Sequence, residues 1–550
     1  MPPTELTPSA HVDTFCRDNL PPRELWPEMI FEVPEVHYPD RLNVATVLLD
    51  DVIDKMPGGA DRPCVMSPDG IRWTYGEVRA RANRMAHVLV DDLGLVPGNR
   101  VLLRGPNNPW LVAVWFAVLK AGGVVVPTMP MLRPGELATI GEIGKFDIAI
   151  CDHRFTDDLL AAEIKDLRTF TYGGEVEGLG DITAMAEAKP DTFDDVDTAA
   201  DDVSMLAFTS GTTGRPKATM HFHRDVLANA DTFSHYVLQP QADDVFIGTP
   251  PIAFTFGLGG LVVFPLRVGA STLMVEKATP EQLADLIAEH RATVCFTAPT
   301  AYKAMLAKGK AGHLAGLRRA VSAGEHLPQS LWQQVHAETG LKLIDGIGAT
   351  EMLHIFISAA DERIRPGATG LAVPGYRAKI VDEFGEDAPD GTPGRLAVKG
   401  PTGCRYLADD RQTVYVQDGW NLTGDTFVRD EDGYFWYQAR SDDMIISSGY
   451  NISATEVEEA LLSHPEVLEC AVVAAPDDDR GHVVKAYVVP RNGLSELGGS
   501  DGEAELRKKL QDHVKGVIAP YKYPRQIAFI DALPRTSTGK LQRFVLRQQS

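Results

Sequence analysis

Residues 209–217 read Thr209-Ser210-Gly211-Thr212-Thr213-Gly214-Arg215-Pro216-Lys217. Two hydroxyl-bearing pairs, Thr209/Ser210 and Thr212/Thr213, flank Gly211, and Gly214 follows. A loop of this kind can offer backbone N–H groups and hydroxyls to a polyphosphate, and its glycines let the ligand approach closely. Arg215 and Lys217 add positive charge beside it. The spacing Gly-x-x-Gly-x-Pro-Lys differs from the Walker pattern Gly-x-x-x-x-Gly-Lys-[Ser/Thr].

The apolar run 203–208 before the loop predicts a strand. That puts the loop at a strand end, where ligands of α/β sheets collect. Upstream, residues 64–74 predict a hairpin turned by Ser67-Pro68-Asp69-Gly70, and 75–92 carry apolar positions at helical spacing. Strands at 100–104, 124–127 and 147–151 alternate with a helix near 109–121. A second block, 203–360, has apolar strands at 270–275, 293–297 and 319–322. Such alternation argues for α/β layers with largely parallel sheets. Residues 186–202 are acidic and poor in apolar side chains, which predicts a solvated linker. Short strands and turns from 365 to 440 predict a β-rich subdomain. The tail has its own helix (455–463), strands (469–475 and 484–489), a Gly/Ser-rich loop (493–502) and a second helix (503–515). The expected architecture is α/β. A large N-terminal domain, 1–441, holds two layered α/β sheets and the β-rich subdomain; a small mobile α+β domain, 442–550, follows. The first forty residues, rich in Pro and aromatics, are expected to wrap over the surface of the rest.

At 550 residues the chain is too long for one hydrophobic core. A net charge of −23 disfavours nucleic acid and anionic membrane as partners. The six cysteines are scattered without Cys-x-x-Cys, as in a reducing, cytoplasmic setting, and predict neither a disulfide framework nor a zinc site. The start of the chain lacks a signal-peptide pattern. The most membrane-like stretch, 110–127, is interrupted by Lys120 and Gly122-Gly123 and reads as a buried helix running into a buried strand, with no membrane span. A homo-oligomer is left open.

The full 209–217 stretch resembles the phosphate-binding signature of the adenylate-forming enzymes, the superfamily of acyl-CoA synthetases, peptide-synthetase adenylation domains and luciferases. Four further stretches match in the family's order, and together they span roughly residues 60–545. The first is Asp345-Gly346-Ile347-Gly348-Ala349-Thr350-Glu351. The resemblance gives Thr350 a hydroxyl contact to the α-phosphate and makes Glu351 the magnesium ligand. Upstream, Ser322-Ala323-Gly324-Glu325 resembles the segment lining the adenine. In Thr423-Gly424-Asp425 the carboxylate of Asp425 would accept both ribose hydroxyls. In the run Arg440-Ser441-Asp442 to Gly449, the resemblance makes Arg440 a ribose contact, Asp442 the interdomain hinge and Gly449 the entry for a pantetheine thiol. The family often has a basic residue two positions after this glycine, where this chain has Asn451. In Pro534-Arg535-Thr536-Ser537-Thr538-Gly539-Lys540, Lys540 would reach both the carboxylate substrate and the α-phosphate and neutralise charge on a pentavalent phosphorus.

The implied reaction joins a carboxylic acid to ATP, releases pyrophosphate, and passes the acyl group from AMP to the thiol of coenzyme A, with Mg2+ as cofactor. Positioning and charge stabilisation suffice for it. In the family the acid pocket is lined by the segment after Pro251 and by residues near Gly346 and His354. Here those residues include Phe254, Thr255, Phe256, Gly257 and Gly348. Two aromatics among glycines suit a flat ring, and the pocket segment lacks the Asp that usually holds an amino acid's ammonium. The 345–356 string resembles the benzoate-CoA ligase branch, and Asp18-Asn19-Leu20-Pro21-Pro22-Arg23-Glu24-Leu25-Trp26-Pro27 resembles enzymes assigned to 2-aminobenzoate. The leading expectation is an AMP-forming aryl-CoA ligase. The alternatives are a stand-alone enzyme loading an aryl acid onto a separate carrier protein, and a non-catalytic nucleotide-binding protein.

Overall fold

The computed structural model describes residues 6–209, 216–440, 445–447, 450–477, 481–518, 520–535 and 541–549. Two large sheets dominate. The seven-stranded sheet runs Gly180–Asp181, Arg168–Tyr172, Ile148–Asp152, Arg100–Arg104, Val124–Thr128, Val203–Thr209 and Lys217–Phe222. Its first six strands are parallel and the last returns antiparallel. The nine-stranded sheet runs Leu371–Ala372, Ile355–Ser358, Ile344–Gly348, Arg319–Ser322, Val294–Thr297, Val245–Gly248, Ser271–Leu273, Pro63–Met66 and Arg72–Thr74. Its six middle strands, from Ile344–Gly348 to Pro63–Met66, are parallel.

One continuous core joins both sheets through the helices Tyr75–His87 and Pro109–Lys120. Thr74 and Glu77 close a capping box at the first helix. Asn108 caps the second by accepting from the Leu111 N–H, with Pro109 at the first helical position. The second helix is apolar on every face, as a helix buried on all sides must be. Its Lys120 is fully buried and bonded to Asp50 and Asp195. No described helix is long and apolar enough to cross a membrane.

A five-stranded antiparallel sheet lies within residues 377–440. Beyond it, Val467–Asp477, Gly481–Pro490 and Gln526–Phe529 form a three-stranded sheet covered by the helices Ala454–Leu462 and Ser500–Val517. The α/β architecture is that of the sequence reading. The six cysteines are free and buried.

The acidic segment 186–202 divides in two. Residues 187–194 are irregular and mostly exposed, as expected of a solvated linker, but the carboxylates at the end of the run are built into the fold. Asp195 pairs with Lys120, and Asp201 and Asp202 are each 2% exposed. Asp202 accepts from Ser9, from the N–H groups of Ala10 and Ala199, and from Arg17 at 3.2 Å. Residues 6–40 are fastened there and again at Gly400, whose carbonyl accepts from the Ile30 N–H.

Segment 405–407 extends the seven-stranded sheet. The Met220 N–H donates to the Arg405 carbonyl at 2.8 Å and the Leu407 N–H to the Ala218 carbonyl at 2.9 Å. Arg405 is wholly buried. It forks onto Asp225 Oδ2 at 2.9 and 3.0 Å and lies 4.0 Å over the Phe222 ring. Removing one partner of such a pair strands a buried charge. We expect Asp225→Ala to cost about 3–5 kcal/mol, read as a lowered urea midpoint, with Arg377→Ala at the exposed Arg377–Glu32 pair as the near-neutral control. Equal midpoints for the two variants would contradict this.

Candidate active site

The C-terminal ends of the parallel strands in the nine-stranded sheet bring Thr249, Thr297, Ser322 and Gly348 to one edge, the edge where open α/β sheets bind ligands. Thr249 and Thr297 share a hydroxyl–hydroxyl bond of 2.7 Å. Ser322 is fully buried, and Ala323 follows it. Gly324 takes φ +88° with open space where a Cβ would stand. Glu325 meets Arg535 at 3.6 Å. Burial pushes the Asp345 carboxyl up to about 7. Asp425 is buried in the strand Trp420–Arg429, opposite Arg440 in register.

Thr209 and Lys217 are cross-strand neighbours at the ends of the antiparallel strands Val203–Thr209 and Lys217–Phe222. Ser210, Gly211, Thr212, Thr213 and Gly214 between them lie outside the described residues, as do Asp442, Gly449 and Lys540. Lys217 Nζ pairs with Glu351 Oε1 at 2.9 Å. Tyr406 donates its hydroxyl to the same oxygen at 2.5 Å, and Lys217 in turn donates to Tyr406. The ammonium also lies 4.4 Å from the centre of the Tyr406 ring. Glu351 is 7% exposed and Tyr406 fully buried. Burial, reinforced by Cys404 and Glu351, holds the Tyr406 phenol far above its ordinary range, so it stays a proton donor.

Glu351 sits in the single turn Thr350–Met352. Leu353 then takes φ +69° and ψ −43°, a costly conformation for a bulky residue. This reversal lets strand Ile355–Ser358 return antiparallel to Ile344–Gly348. His354 follows at once, 3% exposed. Burial pulls its pKa down to about 3, so the ring is neutral at neutral pH. Nε2 lies 3.4 Å from the Phe256 carbonyl. The ring is 4.6 Å from Phe264, 5.5 Å from Phe233 and 5.6 Å from Phe256, centre to centre.

Glycines close this cluster. A Cβ on Gly259 would lie 2.4 Å from the His354 ring, and one on Gly348 would lie 2.6 Å from the His354 carbonyl oxygen. Gly346 abuts Ile355 in the same way. Phe256 is thus in the His354 cluster. Phe254 is 36% exposed and precedes the helical turn Thr255–Leu258, of which Thr255 is the half-buried first residue. Gly257 of that turn lies against the carbonyls of Pro250 and Pro251.

The profile of the AMP-binding enzymes matches residues 54–406, and that of their C-terminal domain matches 456–540. This chain belongs to the AMP-binding enzyme family. Among relatives of this AMP-binding enzyme is the benzoate–CoA ligase of Thauera aromatica, 35% identical over 94% of this chain and 97% of that protein. A 3-hydroxybenzoate–CoA ligase of Aromatoleum sp. (strain CIB) is 32% identical over 89% and 94%. Among solved structures, the anthranilate CoA ligase AuaEII in complex with anthranoyl-AMP superposes with a TM-score of 0.87 at 32% identity, over 94% of this chain and 99% of that one. These relatives are acid–thiol ligases, the enzyme class that the sequence led us to expect.

Sequence reasoning missed Tyr406 and also Asn107, whose amide clasps the segment before Phe254. Nothing in the local spacing marks either residue. The one cue for Tyr406 is a charged Arg405 beside it in an otherwise uncharged run, Pro401 to Leu407. Tyr406→Phe keeps the ring and removes a hydroxyl bonded to two charged groups. We expect a loss of about 1.5–3 kcal/mol in stability, and weaker AMP binding by calorimetry. Unchanged stability together with unchanged AMP affinity would show that the hydroxyl does not hold the cluster.

Proposed function

We propose that this AMP-binding enzyme is an aryl-CoA ligase. It activates a benzoate-type acid, 2-aminobenzoate among them, with ATP and transfers the acyl group to coenzyme A. The observation that carries this reading is the turn 350–354. It holds Glu351 against Lys217, at the end of strand Lys217–Phe222, and, three residues on, His354 in a ring cluster with Phe256. One short, strained reversal therefore spaces a phosphate end from an acid end. The names of the relatives support the acid class: benzoate, 3-hydroxybenzoate and anthranilate ligases.

In this reading the hydroxyls and N–H groups of Thr209 to Gly214 cradle the β- and γ-phosphates, helped by Lys217. Thr350 bonds the α-phosphate. The adenine lies along Ser322 to Glu325 and Asp345 to Gly346, and Asp425 with Arg440 holds the ribose. A flat ring lies by Phe256, Gly348 and His354, with Phe254, Thr255 and Gly257 framing it. The neutral His354 offers hydrogen-bonding capacity to a ring substituent without adding charge. Mg2+ would be held by Glu351, whose oxygen donor is of the hard type this ion takes, one or two carboxylates plus phosphates being its usual protein complement. Bound there, it would neutralise phosphate charge.

The acid's carboxylate oxygen attacks the α-phosphorus. The bond to the bridging oxygen breaks and pyrophosphate leaves. Lys540 neutralises charge on the five-coordinate phosphorus. The thiol of coenzyme A, entering by Gly449, then attacks the acyl carbonyl, and AMP leaves with the electron pair of the C–O bond. The division of labour places a domain boundary at residues 441/442, with Asp442 as its hinge. The separate family matches on either side of that point support this division.

A screen of CoA-dependent AMP formation tests the reading. Benzoate and 2-aminobenzoate should be turned over far better than octanoate, because a long flexible chain loses more rotamer freedom and needs a tunnel. Preference for octanoate would overturn the aryl assignment, and acceptance of a carrier-protein thiol in place of coenzyme A would move the acceptor. In the same assay Lys540→Ala should lose roughly 10²-fold or more in adenylation while still converting pre-formed acyl-adenylate. Equal loss in both half-reactions would remove Lys540 from its assigned role.

A further inference from the structure

We infer that Asn107 is a positioning residue that sets which acid the site accepts; this rests on the acid site proposed above. Asn107 is 4% exposed and touches the acid-side segment with both ends of its amide. Its Nδ2 donates to the Pro250 carbonyl at 2.9 Å, and its Oδ1 accepts from the Ile252 N–H at 2.8 Å. Pro250 and Pro251 have no N–H of their own, so Ile252 is the first backbone donor after Thr249, and Asn107 takes it.

What this segment supports has no slack. A Cβ on Gly257 would lie 2.1 Å from the Pro251 oxygen and 2.5 Å from the Pro250 oxygen, so the helical turn Thr255–Leu258 rests directly on the two carbonyls. Two residues on, Gly259 abuts the His354 ring. A shift of residues 250–252 therefore passes through backbone contacts to the Phe256–His354 cluster, with no flexible side chain in between to absorb it. Close-packed contacts transmit such shifts, and a misplacement of about 1 Å at a reacting centre is felt as up to about 10² in rate.

The clasp also has a rigid base. Asn107 comes from the loop after strand Arg100–Arg104, in the other large sheet. The next residue, Asn108, caps helix Pro109–Lys120 and donates to Asp152 and Glu276, both at 3.1 Å. Arg154 bridges the same two carboxylates at 2.8 and 2.6 Å. Asn107 thus gauges the acid segment of one sheet against the fixed end of the other.

The experiment compares Asn107→Asp, Asn107→Ala and Asn108→Ala with the wild type. KM is measured separately for acid and ATP, with kcat/KM for benzoate, 2-aminobenzoate and octanoate. The Asp variant keeps the shape and the acceptor for Ile252 but turns a charge toward the Pro250 carbonyl. It should raise the acid KM about 10-fold or more, leave the ATP KM within about twofold, and narrow the ratio between the best and the worst acid about fivefold or more. Asn107→Ala should do the same. Asn108→Ala, at the base of the clasp, should lower the denaturation midpoint and narrow the acid ratio less than the Asn107 variants do. If the Ala variant does not fold, the isosteric Asp variant carries the test. Acid and ATP KM moving together, or an unchanged acid ratio in a folded variant, overturns the inference. If the wild type prefers octanoate, the aryl reading fails, and the Asn107 inference is still decided by whether the variants narrow that preference.

Discussion

The buried Lys217–Glu351–Tyr406 cluster ties the last strand of one large sheet to the turn that follows the strand Ile344–Gly348 of the other. A buried carboxylate without a partner would be expelled or protonated. Here Lys217 and Tyr406 converge on one of its oxygens, so the strand end at Lys217 and the 350–354 turn are held in a fixed relation. Arg405, next to Tyr406, anchors the third segment through Asp225 and the Phe222 ring. Three stretches far apart in sequence therefore meet as one unit, and the separation of the proposed phosphate and acid ends is set by their meeting.

That separation matters because the proposed chemistry asks for little else. No protein nucleophile is needed when the acid itself attacks phosphorus, so rate comes from alignment and from charge placed in advance. In the proposed site, the burial that makes His354 neutral keeps charge away from the ring end of the acid. The strain at Leu353 is the local expense of putting Glu351 and His354 three residues apart while they serve different neighbours.

The α/β order was legible because strand and helix periods alternate over most of the chain, and hydroxyl, glycine and lysine at close spacing marked the Thr209–Lys217 loop. Glu351, Asp425 and His354 stand in short runs singled out by the family resemblance, and the structure buries all three. Tyr406 was not, since its partners lie 189 and 55 residues away. Asn107 was not either, with its contact to Pro250 spanning 143 residues. The end of the acidic run, residues 195–202, was misread for the same reason. Composition records its carboxylates but not Lys120, Ser9 and Arg17, the distant groups that neutralise or bond them. The pairing of Phe256 with His354 also belongs to tertiary packing, because Gly259 lets the two elements close and nothing in either run specifies the other.

Acid-dependent exchange of labelled pyrophosphate into ATP, measured without coenzyme A, addresses the central claim most directly. It reports formation of an acyl-adenylate at this site and nothing downstream. Benzoate-type acids should drive exchange in the wild type, and Glu351→Gln should lower it by roughly 10² or more. Exchange that is absent with every aryl acid, or that proceeds at the wild-type rate in Glu351→Gln, would contradict the account.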